Sequence, residues 1–190
     1  RLLKFLAPRT SYVEVAINGQ ESLMLIQEKV VKEFLEGSNR REGPIFEGDE
    51  KYLFNNYNEF DHYDLIDLSL GKMSNQRWAE ASSIATNISL NAFSLIQSAY
   101  LHFSNTADNT YALDWSILSN NNEALLTRWA AYEMLLFATQ ASHALIPHNR
   151  KFYFNTFYSG LEPVYWDGHS RSLDGTWMRI RPDFRFYPHL

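Results

Sequence analysis

The sequence predicts a mixed α+β domain. Three observations carry that prediction: an alternating segment turning at Asn18-Gly19 near the start, a long apolar helical segment over 120–140, and a second alternating segment directly after Pro147. The order is therefore hairpin, irregular chain, buried helices, hairpin.

In SYVEVAIN, over 11–18, Val13, Val15 and Ile17 alternate with Tyr12, Glu14 and Ala16. Asn18-Gly19 is the dipeptide of a two-residue turn, and ESLMLIQE returns as the second strand, with one apolar face expected on a core. Over 29–36, KVVKEFLE changes to a helical period with Gly37 as its stop. Lys29, Lys32 and Glu33 then read as a solvated helix face, with Lys29 and Glu33 spaced for an i, i+4 pair. From 43 to 75 the apolar clusters are short and Asn, Asp, Glu and Tyr are frequent, which predicts irregular connecting chain.

Trp78, Ile84, Ile88, Phe93, Ile96 and Tyr100 recur at three- and four-residue steps, so 76–103 reads as helix, with a break near 87–91. Residues 105–109 read as a loop. Over 120–140, Leu125, Trp129, Tyr132 and Leu136 form one stripe, Asn120 to Asn122 offer a cap, and the interior is apolar nearly all round. Such a helix is expected in the middle of a domain. Beyond Pro147, 151–155 reads as a strand, Tyr158-Ser159-Gly160 as a turn, 162–166 as the returning strand and Asp167-Gly168 as its end.

Composition removes several function classes. A net charge of -5 and a pI near 5.7 do not fit a nucleic-acid surface, which needs clustered cations. The most apolar run, 130–138, is interrupted by Glu133 and is too short for a membrane span. With no cysteine there are no disulfides or thiolate metal sites, and the compartment stays open. The opening RLLKFLAP shows no signal pattern and reads as the interior of a longer chain.

HALIPHNRKFYF, over 143–154, gathers two histidines, an amide and two cations at one break. Asn149 opens the second hairpin and Asp167, eighteen positions later, closes it, so a two-strand ladder brings them to the same end. An amide oxygen beside a carboxylate is a hard-oxygen pair suited to magnesium, with waters and phosphates completing the octahedron. A turn uses the same residue types, so the pair alone does not decide between them. A zinc or iron site of His143, His148, Asp167 and His169 is a second reading, weakened because His143 and His148 do not share a helix face.

The ordered set YVEVAINGQESLMLIQEKVVKEFLE, GPIFEGDE, HNRKFYF and EPVYWDG resembles the CotH family of spore-coat-type protein kinases over most of 11–168. The resemblance implies an atypical protein-kinase-like fold and one domain over 1–190. Residues 1–50 would be part of a small lobe, its first strands lying upstream, and 76–190 a helical large lobe with a catalytic-loop hairpin. It implies Mg-dependent phosphoryl transfer from ATP to a protein acceptor, in a spore-coat or other extracytoplasmic setting. Asn149 and Asp167 would hold the metal, and Gln27 and Glu28 would form the hinge against the nucleotide base. Arg150 would reach a phosphate. The family places an Asp five residues before its Asn to orient the attacking hydroxyl, and here that position is Ala144, leaving His143 and His148 as the nearby titratable groups. Glu47 stands where the family often has Lys. The alternative function is a catalytically silent kinase-like scaffold in a coat or envelope assembly, with Tyr57, Tyr158 and Trp177 as aromatic contacts.

Overall fold

A computed structural model of the chain describes residues 5–49, 71–105 and 113–168. Among the described residues the class is α+β: a two-stranded hairpin, a four-stranded antiparallel sheet and five α-helices. Tyr57, His169, Trp177 and the rest of the tail lie outside the described residues, and so do most of the expected irregular chain and the loop at 106–109.

The first hairpin pairs β1, Thr10–Ile17, with β2, Gln20–Gln27, in a register fixed by Ile17 opposite Gln20. Its turn residues Asn18 and Gly19 both have positive φ, 52° and 78°, the backbone such a turn requires. Among the described residues no core packs beneath it. Every residue of β2 is exposed, and only Val13 and Val15 of β1 are half-buried.

The helix α1, Lys32–Gly37, starts three residues later than its periodicity suggests and buries Phe34 and Leu35. Lys29 therefore precedes it, and the ion pairs on this face run from Lys32 to Glu36 and Glu42, at 3.9 and 3.8 Å.

The larger sheet has the order β4-β3-β5-β6, from Gly71–Met73, Ile45–Gly48, Lys151–Asn155 and Gly160–Val164. β3 falls in the segment expected to be irregular, yet it lies in the interior of the sheet. Asn75 holds its start: the side-chain oxygen accepts from the Ile45 N–H at 2.8 Å and its amide donates to the Gly43 carbonyl at 2.9 Å. β6 is the outermost named strand of this sheet, with Leu6 bridged to Val164 on its outer side, and an edge position accommodates Pro163.

Strand alternation divides the sheet's side chains between two clusters. Phe46, Phe152 and Phe154 join Ile96, Tyr100, Trp129 and Leu136 from the helices, while Ile45, Tyr153 and Val164 join Phe34, Leu35 and Leu6. Those helices are α3, Ser83–Asn105, and α5, Glu123–Ala138; two single turns, α2, Gln76–Ala79, and α4, Trp115–Leu118, precede them. The break in the first long helix comes at 80–82 rather than 87–91, where Ser82 Oγ accepts from the Ala85 N–H at 3.1 Å and starts α3.

α5 begins as expected, with Asn122 accepting from the Leu125 N–H at 3.2 Å, and it buries the expected stripe Leu125, Trp129, Tyr132 and Leu136. Each such side chain contributes about 1.5–3 kcal/mol by leaving water. The helix is not buried all round, since Met134 and Leu135 face solvent. No helix among the described residues is long and apolar enough to cross a membrane.

Candidate functional site

α5 ends where Gln140 turns to positive φ, 55°, and the Ala141 N–H bonds back to Leu136 at 2.7 Å. Two 3-10 turns follow, Ser142–Leu145 and Pro147–Asn149, leading directly into β5. This is the break of HALIPHNRKFYF. Arg150 fixes it from inside: its Nε donates to the Leu145 carbonyl at 2.8 Å, and its Nη1 to Glu133 Oε1 at 3.0 Å, with both side chains buried. Two buried opposite charges need each other, because removing one leaves the other unsolvated. The guanidinium expected to reach a phosphate is paired with Glu133 of α5, and Arg150 also lines the cleft beside this break.

The far strand arrives at the same place. After β6 the Tyr165 N–H donates to the Leu6 carbonyl at 2.7 Å, and Asp167 then takes a left-handed conformation, φ 46°. A β-carbon on the following Gly168 would meet the Tyr165 ring and displace it. This turn presents both the carbonyl and the carboxylate of Asp167 to His143. Nδ1 of His143 is 2.9 Å from the Asp167 carbonyl oxygen and 3.4 Å from its Oδ2. Asn149 Nδ2 is 3.1 Å from the same ring nitrogen. Asn149 and Asp167 are therefore brought together, with the imidazole of His143 between them. Asn149 is buried, whereas the side chains of His143 and Asp167 are each about one-third exposed, at 37% and 36%.

Beside this cluster lies a cleft of about 130 Å³, lined by Glu47, Lys72, His148, Asn149, Lys151 and Trp166 among others. Glu47 pairs across the sheet with both lysines, with Lys72 at 3.7 Å and with Lys151 in close contact, as their registers opposite Glu47 allow. Lys151 Nζ also stands 4.4 Å above the Trp166 ring.

The other expected site residues are placed differently. Ala144 is 2% exposed and packs in the main core, so no side chain projects from that position into the cleft. Gln27 and Glu28 sit at the base of the exposed hairpin, where Glu28 accepts from the Arg9 N–H at 3.1 Å, and neither lines the cleft.

No family model matches the chain, and no curated protein is similar to it in sequence.

Sequence reasoning missed Lys72, Trp166 and the pairing of Glu133 with Arg150. Trp166 had a usable signal, its position beside Asp167 at a strand end. Lys72 had none, because its neighbourhood to Lys151 exists only through β3.

Proposed function

We propose that this chain is a kinase-like domain, similar to the CotH family, that binds a nucleotide with a divalent cation and transfers a phosphoryl group to a protein acceptor. The observation that carries this reading is the convergence of Asn149 and Asp167 from opposite ends of one hairpin, beside a cleft with two lysines. A carboxylate, a main-chain carbonyl and an amide are hard donors, the set that divalent cations bridging phosphates accept. The donor chemistry fits such an ion, which when bound supplies neutralising charge to the phosphate oxygens.

The chain's own residues would do the rest. Lys72 and Lys151 attract the phosphates, with Glu47 holding both ammonium groups in place between turnovers. The Trp166 ring, already in contact with a cation, offers a flat apolar face. His148, on the cleft wall, is the group suited to accept the acceptor hydroxyl's proton as the new phosphorus–oxygen bond forms and the bond to the leaving diphosphate breaks.

The test is calorimetric titration of the full chain with ATP and magnesium, alongside melting curves. Saturable binding and a raised Tm, both lost in Asp167→Ala, support the reading, and unchanged heats and melting in the wild type remove it. One observation favours the second reading, a catalytically silent scaffold: the exposed hairpin shows Tyr12, Leu23, Leu25 and Ile26 to solvent, as a docking element would. Phosphate transfer to any protein, abolished by Asp167→Ala, would eliminate it.

A further inference from the structure

We propose that Glu47 is the built-in occupant of the anion subsite in this cleft: its carboxylate stands where a ligand's phosphates go, and so sets the minimum charge a ligand must bring. The ligand class is a run of linked phosphates, and singly charged anions are turned away. The inference rests on the reading that Lys72 and Lys151 attract phosphates and deepens it by naming the residue that competes for them.

The sheet builds the arrangement. Glu47 on β3 is the register partner of Lys72 on β4 and of Lys151 on β5. Residues directly opposite on antiparallel strands share a face, so the three side chains form one row of cation, carboxylate and cation along the cleft wall. Each ammonium takes its own oxygen: Lys72 Nζ is 3.7 Å from Oε1, and Lys151 Nζ is in close contact with Oε2. One carboxylate therefore serves two cations from between them. Asp49 shares Lys72 at 3.6 Å but does not line the cleft, and Arg150, which does, is paired with Glu133.

A cross-strand ion pair has an ordinary structural use. Three features set this row apart. It lies in a concave wall rather than on an open face of the sheet. Its middle residue, on whose charge the other two draw, carries the sign of the ligand. Lys151 also has a second resting place: its Nζ stands 4.4 Å above the Trp166 ring, which lines the same cleft, so the ammonium keeps a favourable contact when Glu47 withdraws.

Competition then selects the ligand. Held on the same sheet, Glu47 meets the lysines at an effective concentration that a free anion of equal charge does not match. A monoanion would exchange like for like and lose its own freedom of motion. Linked phosphates bring several charges at once, enough to give each ammonium an anion of its own through charge-assisted hydrogen bonds.

The experiment is calorimetric titration of the full chain with inorganic triphosphate and with orthophosphate, without divalent cations, for wild type, Glu47→Gln and Asp49→Asn. The wild type is expected to take triphosphate about tenfold more tightly than orthophosphate, and Glu47→Gln to take triphosphate about tenfold more tightly again. Asp49→Asn removes the same charge from beside Lys72 without vacating the cleft, and should change the affinity about threefold or less. Glu47→Asp keeps the charge but draws it back from both lysines; its expected gain is intermediate, and it serves if the glutamine variant does not fold. Equal or weaker triphosphate binding in Glu47→Gln, or in Glu47→Asp where only that variant folds, overturns the inference. So does an equal gain in Asp49→Asn, which would make the effect one of net charge alone. Titration with ATP and magnesium separates the two proposals. A triphosphate gain in Glu47→Gln, with no ATP-magnesium binding that depends on Asp167, upholds the occupant and removes the phosphoryl-transfer reading. ATP-magnesium binding lost in Asp167→Ala, with no triphosphate gain in Glu47→Gln, does the opposite.

Discussion

Nη2 of Arg40 lies 2.9 Å from Oε2 of Glu162, a carboxylate with no exposed surface, 122 positions further along the chain. Arg128 from α5 and Asn155 from β5 donate to the same carboxylate. Burial alone pulls the Arg40 guanidinium down, but its hydrogen bond to Glu162 and that residue's charge outweigh the loss and raise it. This hub ties the segment after α1, helix α5 and the second hairpin together at the end of the sheet remote from Asp167. Replacing Glu162 by Gln keeps the shape and leaves two guanidinium groups without their counter-charge. The expected cost is about 3 kcal/mol, read as a lowered urea midpoint at constant slope. A midpoint within error of the wild type would show that the hub contributes only alignment.

Gly160, at the start of β6, is required for a different reason. A β-carbon there would stand 2.6 Å from both Leu125 Cδ1 and the Ser119 carbonyl oxygen. The backbone oxygen cannot rotate away, so Gly160→Ala forces the hairpin from α5 and is expected to cost about 1–3 kcal/mol in a thermal melt. Because the same hairpin delivers Asp167, the variant should also weaken the ATP-magnesium binding proposed above. An unchanged Tm would mean that the turn relaxes freely.

The second hairpin and α5 were legible because each has a strong local signature: alternating Phe152, Tyr153 and Phe154 after a proline, and a stripe from Leu125 to Leu136 behind an asparagine cap. The meeting of Asn149 with Asp167 followed from ladder arithmetic. What was illegible depended on the rest of the chain. β3 has four residues, too few to show a period, and it is a strand because β4 and β5 flank it. The inward turn of Arg150 depends on Glu133, and no local pattern links a cation after the break to a carboxylate seventeen positions earlier. The first hairpin shows the opposite failure, since its alternation is real but nothing among the described residues packs beneath it.

That hairpin gives a prediction of its own. Leu25 is 54% exposed and Leu23 67%, so charged residues there should leave the unfolding free energy within about 0.5 kcal/mol of wild type. Equilibrium unfolding of Leu25→Asp measures it. A loss of several kcal/mol would mean that the hairpin's apolar side chains are covered after all.

Three buried phenols set the alkaline limit. Burial, the largest cause, pushes Tyr153 up to about 12 and raises Tyr100 and Tyr132 as well. Each group is neutral in both folded and unfolded chains below its ordinary value near 10. Above it the unfolded chain releases protons that the folded chain retains, so stability falls as pH rises. For Tyr153 the window runs from about pH 10 to about 12, with a total loss of about 2–3 kcal/mol. Its hydroxyl donates to the Arg41 carbonyl at 2.9 Å, so Tyr153→Phe should cost about 1 kcal/mol near neutrality. The same variant should lose stability less steeply above pH 10. Urea unfolding at pH 8, 10 and 11 tests both parts, and a parallel pH slope in wild type and variant would assign the alkaline loss to other groups.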